Sequence, residues 1–366
     1  MSPVGAPSSQ QNAQAAPAPV VPFLAGSYEY SEPIITIAST PGASQQDYVV
    51  QITPGGFLRG VSMLVTSSGG ALGGGALTAD APWSVLSNIT LESIDGTPIL
   101  YPMSGYAAYL VTKYTRPWDG DPTTDPVFSN SVNPAFNLRF FVESRLTMGV
   151  LPNTDARAQY RMRFSVAPLT SLITGGAPTA PALSIQINLE TYAQPPAQDY
   201  ANNQIVQTPD GLCLQRFTSH EFFNTNGGSQ VLKSNRVGNL IRSLILVVRT
   251  SAGARVDLTA DPIRWRLDNT QLLNEYRSRR VYEANREFSF GEYSQALAAS
   301  GQRQTGIYPY PRFHNPGDMQ GMYWLPTTEA SYLAFELNGT PAGGTVEIIT
   351  EDFAPVAPVP SYLQGL

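Results

Sequence analysis

"LPNTDA" at residues 151–156 returns as "LPTTEA" at residues 325–330, 174 positions later. A single hexamer recurs by chance in a long chain, whereas an ordered set of recurrences does not, so the fold turns on whether the surroundings recur too. They do. "GGFLRGVSMLVT" (55–66) aligns with "GNLIRSLILVVRT" (238–250), placing Arg59 on Arg242 at an offset of 183. "IDGTPIL" (94–100) aligns with "LDNTQLL" (267–273) at 173, and "IQINLETYA" (185–193) with "VEIITEDFA" (346–354) at 161. The last match puts Glu190 on Glu351 and Tyr192 on Phe353. The order is the same in both halves, so the chain reads as two copies of one module. The offset drifts because loops differ in length: Ser67 to Asp80 reads as a long Gly/Ala/Ser hairpin, and Arg157 to Gln159 have no counterpart after Ala330. Loops tolerate such changes at small cost.

A length of 366 residues agrees with two domains. Each half, at roughly 170 residues, is long enough to bury most of the apolar surface it exposes unfolded. The longest apolar runs, such as "LIRSLILVV", are interrupted and fall far short of the about 20 residues of a membrane-spanning helix. The first residues lack the basic and apolar regions of a secretory leader, which leads to the expectation that the protein folds in a cytoplasm. One cysteine, Cys213, excludes an internal disulfide framework.

The 22 basic and 28 acidic residues give a net charge of −6, and only 14% of residues are charged, which is low for a dispersed surface and points to large areas covered by partners. No charged side chain precedes Glu29, and residues 1–26 are built mainly from Ala, Pro, Gln and Ser. Such a tract reads as a flexible assembly arm, and without Lys or Arg it is a poor ligand for nucleic acid. Residues 357–366 read as a similar tail.

Val, Ile, Thr, Tyr and Phe dominate the periodic segments and Gly and Pro, 31 each, punctuate them. Short runs with partial period-two alternation, such as "DYVVQIT", "YRMRFSV" and "LSIQINLETY", are answered by "LIRSLILVVRT", "YLAFELN" and "GTVEIITEDF" in corresponding places. This predicts two all-β sandwiches: a first module over 27–199 and a second over 200–356, joined by a polar, Pro-containing linker at 193–211. The best helix candidate is "NTQLLNEYRSRRVYEANREF" (269–288), with Glu275 and Glu283 at i,i+4 from Arg279, and its counterpart is "YPMSGYAAYLVTKY" (101–114).

The tandem sandwiches, the uncharged arm, the "FLRG" and "GNLIRSLILVVR" strands and the "RWRLDNTQLL" stretch together resemble the double jelly-roll major capsid proteins of tectivirus-like bacteriophages, over about residues 27–356. The resemblance implies two tandem eight-stranded jelly rolls with short helical excursions, and no enzymatic activity. It further implies a homotrimer forming pseudo-hexagonal capsomers that tile the icosahedral shell of a double-stranded DNA virus. Its implied partners are neighbouring capsomers, penton and minor capsid proteins and an internal lipid membrane. The implied place is the virion, after synthesis in the host cytoplasm.

No catalytic, cofactor or metal residue is expected. His220 and His314 fall in different modules and in no ligand spacing, and Cys213 has no basic neighbour to activate it. Asp119, Asp121 and Asp125 in "DGDPTTD" offer oxygen ligands but lack the glycine and distal glutamate of a calcium loop, so they read as a solvated acidic loop. Arg277, Arg279, Arg280 and Arg286 form the one basic concentration; in a module balanced in charge they read as ion-pair partners within and between subunits, with no specific nucleic-acid binding. A rival reading is a tandem sandwich that binds or cleaves carbohydrate, with Trp83, Trp118, Trp265 and Trp324 as stacking platforms.

Overall fold

The computed structural model describes residues 20–115, 121–143, 147, 149–157, 159–196, 198–199, 204–206, 209, 214–268, 271–276, 305–312 and 324–355. The first half contributes β1 (Glu29–Ser39), β2 (Gln46–Gln51), β3 (Phe57–Ser68), β4 (Leu86–Glu92), β5 (Pro98–Met103), α1 (Gly105–Tyr114), β6 (Phe136–Phe141), β7 (Arg161–Val166) and β8 (Ala182–Tyr192). The second contributes β9 (Leu214–Ser234), β10 (Leu240–Arg249), β11 (Ile263–Leu267), β12 (Gln271–Tyr276), β13 (Ile307–Pro311) and β14 (Leu333–Pro355).

Two four-stranded layers face each other in the first half, one ordered β1-β8-β3-β6 and the other β2-β7-β4-β5. Among the described residues the second half repeats this arrangement with fewer, longer strands. β9 and β14 pair from Leu214↔Pro355 to Ser234↔Leu333, with register shifts at Asn224/Asn226 and Gly228/Gln230 where both strands pass from one layer to the other. The last part of β14 pairs with β10, which in turn pairs with β13, and its first part pairs with β11, which in turn pairs with β12.

The repeats found in sequence are repeats of register. In β3 against β8, Phe57 faces Tyr192, Gly60 faces Glu190 and Val65 faces Ile185. In β10 against β14, Leu240 faces Phe353, Ser243 faces Glu351 and Val248 faces Val346, which are the same pairs shifted by 183 and 161. The opening hexamer is an edge hook: Leu151–Pro152 caps Phe57 and Leu58, and Leu325–Pro326 caps Leu240 and Ile241. Behind each hook the chain makes the same backbone bond, Asn153 N to Gly56 O and Thr327 N to Asn239 O.

β8 shows why strands form here, since Leu183, Ile185, Ile187 and Leu189 are buried at period two. β10 breaks that alternation because nine of its ten positions are buried. Leu244, Leu246 and Val248 enter the core of the second half, while Ile245 and Val247 join Ile307 and Ile349 in the core of the first. A strand covered on both faces reads as a continuous apolar run. α1 is likewise apolar all round, with nine of ten residues buried; Ser104 accepts a hydrogen bond from Ala107 N to start it, and Trp83 stacks on Tyr109 at 3.6 Å.

The helix expected over 269–288 is corrected at its start: Gln271–Tyr276 is a strand, β12, paired with β11. At the offset of 173, β12 is the image of β5, so the image of α1 falls later, at 278–287, outside the described residues together with the rest of that stretch. Of the assembly arm expected over residues 1–26, residues 20–26 are described, and Phe23 among them packs against the first half. Its ring is buried between Phe57 and Tyr192 at centroid distances of 5.3 and 5.5 Å. Val20 and Val21 pair in parallel with Ile205 and Val206, so part of the expected linker holds the incoming chain. The tail 357–366 lies outside the described residues.

Candidate functional site

Arginines set in apolar strands build the joint between the halves. Pairing of β10 with β14 passes from Ile241↔Asp352 to Ser243↔Glu351, leaving Arg242 as the bulged residue, and Arg59 occupies the same bulge between Leu58↔Thr191 and Gly60↔Glu190. A bulge re-aims its side chain, and here the two copies aim differently. Arg59 reaches Glu143 at 2.7 Å and Glu29 at 2.5 Å within its own half. Glu143 also accepts bonds from Tyr192 Oη and Thr147 N, and burial followed by the Glu143 charge pushes the Tyr192 phenol up.

Arg242 instead crosses into the first half. Its guanidinium donates to the Thr115 carbonyl at 2.5 Å and to Glu351 Oε2 at 2.8 Å, and it is fully buried. Arg216 lies 2.7 Å from Glu351 Oε1 and donates to Thr115 Oγ1 and to the Phe141 carbonyl. Thr115 ends α1, so two guanidiniums and one carboxylate meet the partial negative charge of a helix C-terminus. Burial, then the charge of Arg242, hold Arg216 below the usual arginine range.

Two flanking clusters repeat this chemistry. Asp80 of the first half pairs with Arg249 at 2.8 Å and Arg255 at 3.3 Å; Arg249 also pairs with Glu347, which lies 3.0 Å from the buried His220 ring. Burial raises the Asp80 carboxyl, whereas at Glu347 the His220 bond and Arg249 outweigh burial and hold it below the carboxylate range. Arg236 grips Asp352 through two bonds of 2.9 and 3.0 Å and lies over the Tyr101 ring of the first half at 5.0 Å. These clusters set opposite charges against each other, which suits a fixed joint.

The residues singled out in sequence fall elsewhere. Asp121 caps a short helical turn through Thr123 N and pairs with Lys113 at 3.0 Å, and Asp125 accepts from Val127 N, so each carboxylate serves its own backbone. Asp119, Trp118, Cys213, His314 and Arg277, Arg279, Arg280 and Arg286 lie outside the described residues. Among the described residues no three His, Cys, Asp or Glu side chains come together as a metal site. Trp83, Trp265 and Trp324 are 5%, 3% and 5% exposed, which removes them as sugar platforms. Glu190 and Glu351 share one register position, but Glu190 accepts from Ser62 Oγ at 3.0 Å within its own half, while Glu351 anchors the joint. The signal that sequence offered for the joint was charge inside strands: arginines are buried only when paired.

The same two-layer pairs, set side by side, occur in solved viral structures. The major capsid protein of Sulfolobus turreted icosahedral virus superposes with a TM-score of 0.62 at 13% identity, covering 92% of this chain and 98% of that one. The major capsid protein P2 of bacteriophage PM2 gives 0.53 at 12% identity, over 90% and 99%, and the PBCV-1 capsid gives 0.54 at 12%, over 89% and 93%. The chain has the double jelly-roll fold. No protein-family model and no curated sequence matches it. At such identities the double jelly roll is held in common through strand order and register, not through shared side chains.

Proposed function

We propose that the chain is the major coat subunit of an icosahedral double-stranded DNA virus, a structural protein that acts by assembly in the virion. The observation that carries this reading is the double jelly roll itself, shared along nearly the whole length of both chains with capsid subunits of two viruses. The low share of charged residues, which fits a surface largely covered by partners, supports it. In this reading residues 27–199 and 200–356 are the two rolls, 1–26 and 357–366 are assembly segments, and three two-lobed copies form a pseudo-hexagonal capsomer. Neighbouring capsomers, penton and minor proteins and an internal membrane of a bacteriophage complete the shell. The test is light scattering on the purified protein, followed by electron microscopy of particles. A mass three times 39.5 kDa and closed shells are expected. A monomer that binds glycans overturns the reading.

A further inference from the structure

Each side of the joint inside the chain has an image that, among the described residues, lies at the end of a sheet. Within the chain, β5 runs parallel to β9 and bridges it at Leu100↔Thr218, so a layer of the first roll continues into a layer of the second. Because the rolls repeat in register, both sides of this bridge have images. β12 is the image of β5, with Leu273 standing for Leu100 at the offset of 173. β1 is the image of the first part of β9: Ser31 faces Glu190 as Thr218 faces Glu351.

Among the described residues both images are sheet ends. β12 is bonded only to β11, and β1 only to β8. β1 is an 11-residue edge with most positions exposed, including Glu29, Ser31, Glu32 and Ile35, the last at 45%. Its counterparts in β9, namely Arg216, Thr218 and Ser219, are 6%, 5% and 4% exposed because the joint covers them. Pro33, the two glutamates and the register shift at Ile34 guard this edge against indiscriminate pairing, so it suits a partner strand brought to it in one fixed register.

We propose that β1 of one copy receives β12 of a second copy, Ser31 beside Leu273 of that copy, in a head-to-tail joint that repeats the one inside the chain. A contact between two different surfaces builds a ring when its rotation closes. Three copies then alternate internal and external joints around six similar lobes. This rests on the trimer reading above and adds to it the surface and the register.

The test uses the full chain with Cys213→Ser as background and two paired substitutions, Ser31→Cys with Leu273→Cys and Glu32→Cys with Asn274→Cys. The second pair leaves the apolar residue intact. Residues side by side on paired strands meet the Cα separation of about 4.4–6.8 Å that a disulfide needs. Under mild oxidation each pair is expected to convert the monomer band on a non-reducing gel into dimers and trimers, while each single substitution leaves it unchanged. As a second readout, Ile35→Asp is expected to shift the scattering mass from trimer to monomer with an unchanged circular dichroism spectrum. A trimer by light scattering that shows no pair-dependent cross-link and survives Ile35→Asp overturns the surface and keeps the trimer. A monomeric parent protein overturns both.

Discussion

Glu190 and Glu351 allow one substitution to be made twice in the same register and in different surroundings. Glu351→Gln removes the carboxylate shared by Arg216 and Arg242, leaving two buried guanidiniums facing a helix end. Breaking a buried ion pair from one side costs about 3–5 kcal/mol, because the remaining charge keeps its desolvation penalty without its partner. Glu190→Gln removes the acceptor of a bond from Ser62 at a half-buried position and leaves an amide oxygen that still accepts, so its cost is about 0.5–1.5 kcal/mol. Urea unfolding followed by tryptophan fluorescence reads both, and in a thermal scan the Glu351 variant is expected to melt on the order of 4–6 °C lower if the chain unfolds as one unit. Equal losses for the two variants, or a loss under about 1 kcal/mol for Glu351→Gln, would refute the account of the joint as a mutually compensated charge cluster.

Three further outcomes are expected. Leu246→Ala, at a fully buried position of β10, lowers stability by about 2–5 kcal/mol in urea unfolding. Phe23→Ala costs up to about 3 kcal/mol, since the ring fills a site made by Phe57, Val150 and Tyr192, whereas truncation ahead of Val20 leaves the melting temperature unchanged. The Glu347 carboxyl is held below its ordinary range, so its contribution is complete above about pH 4.3 and is lost as pH falls through its lower folded value; the urea midpoints of the parent and Glu347→Gln are therefore expected to converge on acidification.

The fold was legible because duplication preserves what backbone geometry requires. The hooks at Leu151–Pro152 and Leu325–Pro326 and the facing pairs of β3/β8 and β10/β14 survive as phrases since each holds one register. β12 was misread because "NTQLLNEY" carries helix-compatible spacing and no breaker, while its strand state comes from β11 beside it. The joint was hidden for a different reason. Asp80 and Arg249, or Thr115 and Arg242, are more than 100 positions apart, and nothing local in "LIRSLILVVRT" says which carboxylate or carbonyl each arginine meets. Burial of both faces of β10 was readable as a missing alternation, although not what lay on the second face.

The order in which strands appear along the chain gives the two rolls different histories during synthesis. The first roll is closed by β8, whose partners β1 and β3 precede it, so every layer of that roll exists once Tyr192 has left the ribosome. The second cannot begin to close in the same way. β9 is 21 residues of strand with its main partner still to come, and Leu333, where β14 starts, lies 99 positions beyond Ser234. Throughout that interval β9 offers long unpaired backbone to other nascent chains, a hazard for any slowly closing β topology. The layers of the first roll are in place by then and already offer Arg216 partners in Thr115 and the Phe141 carbonyl. They can therefore serve as a template that shelters β9 until β14 arrives.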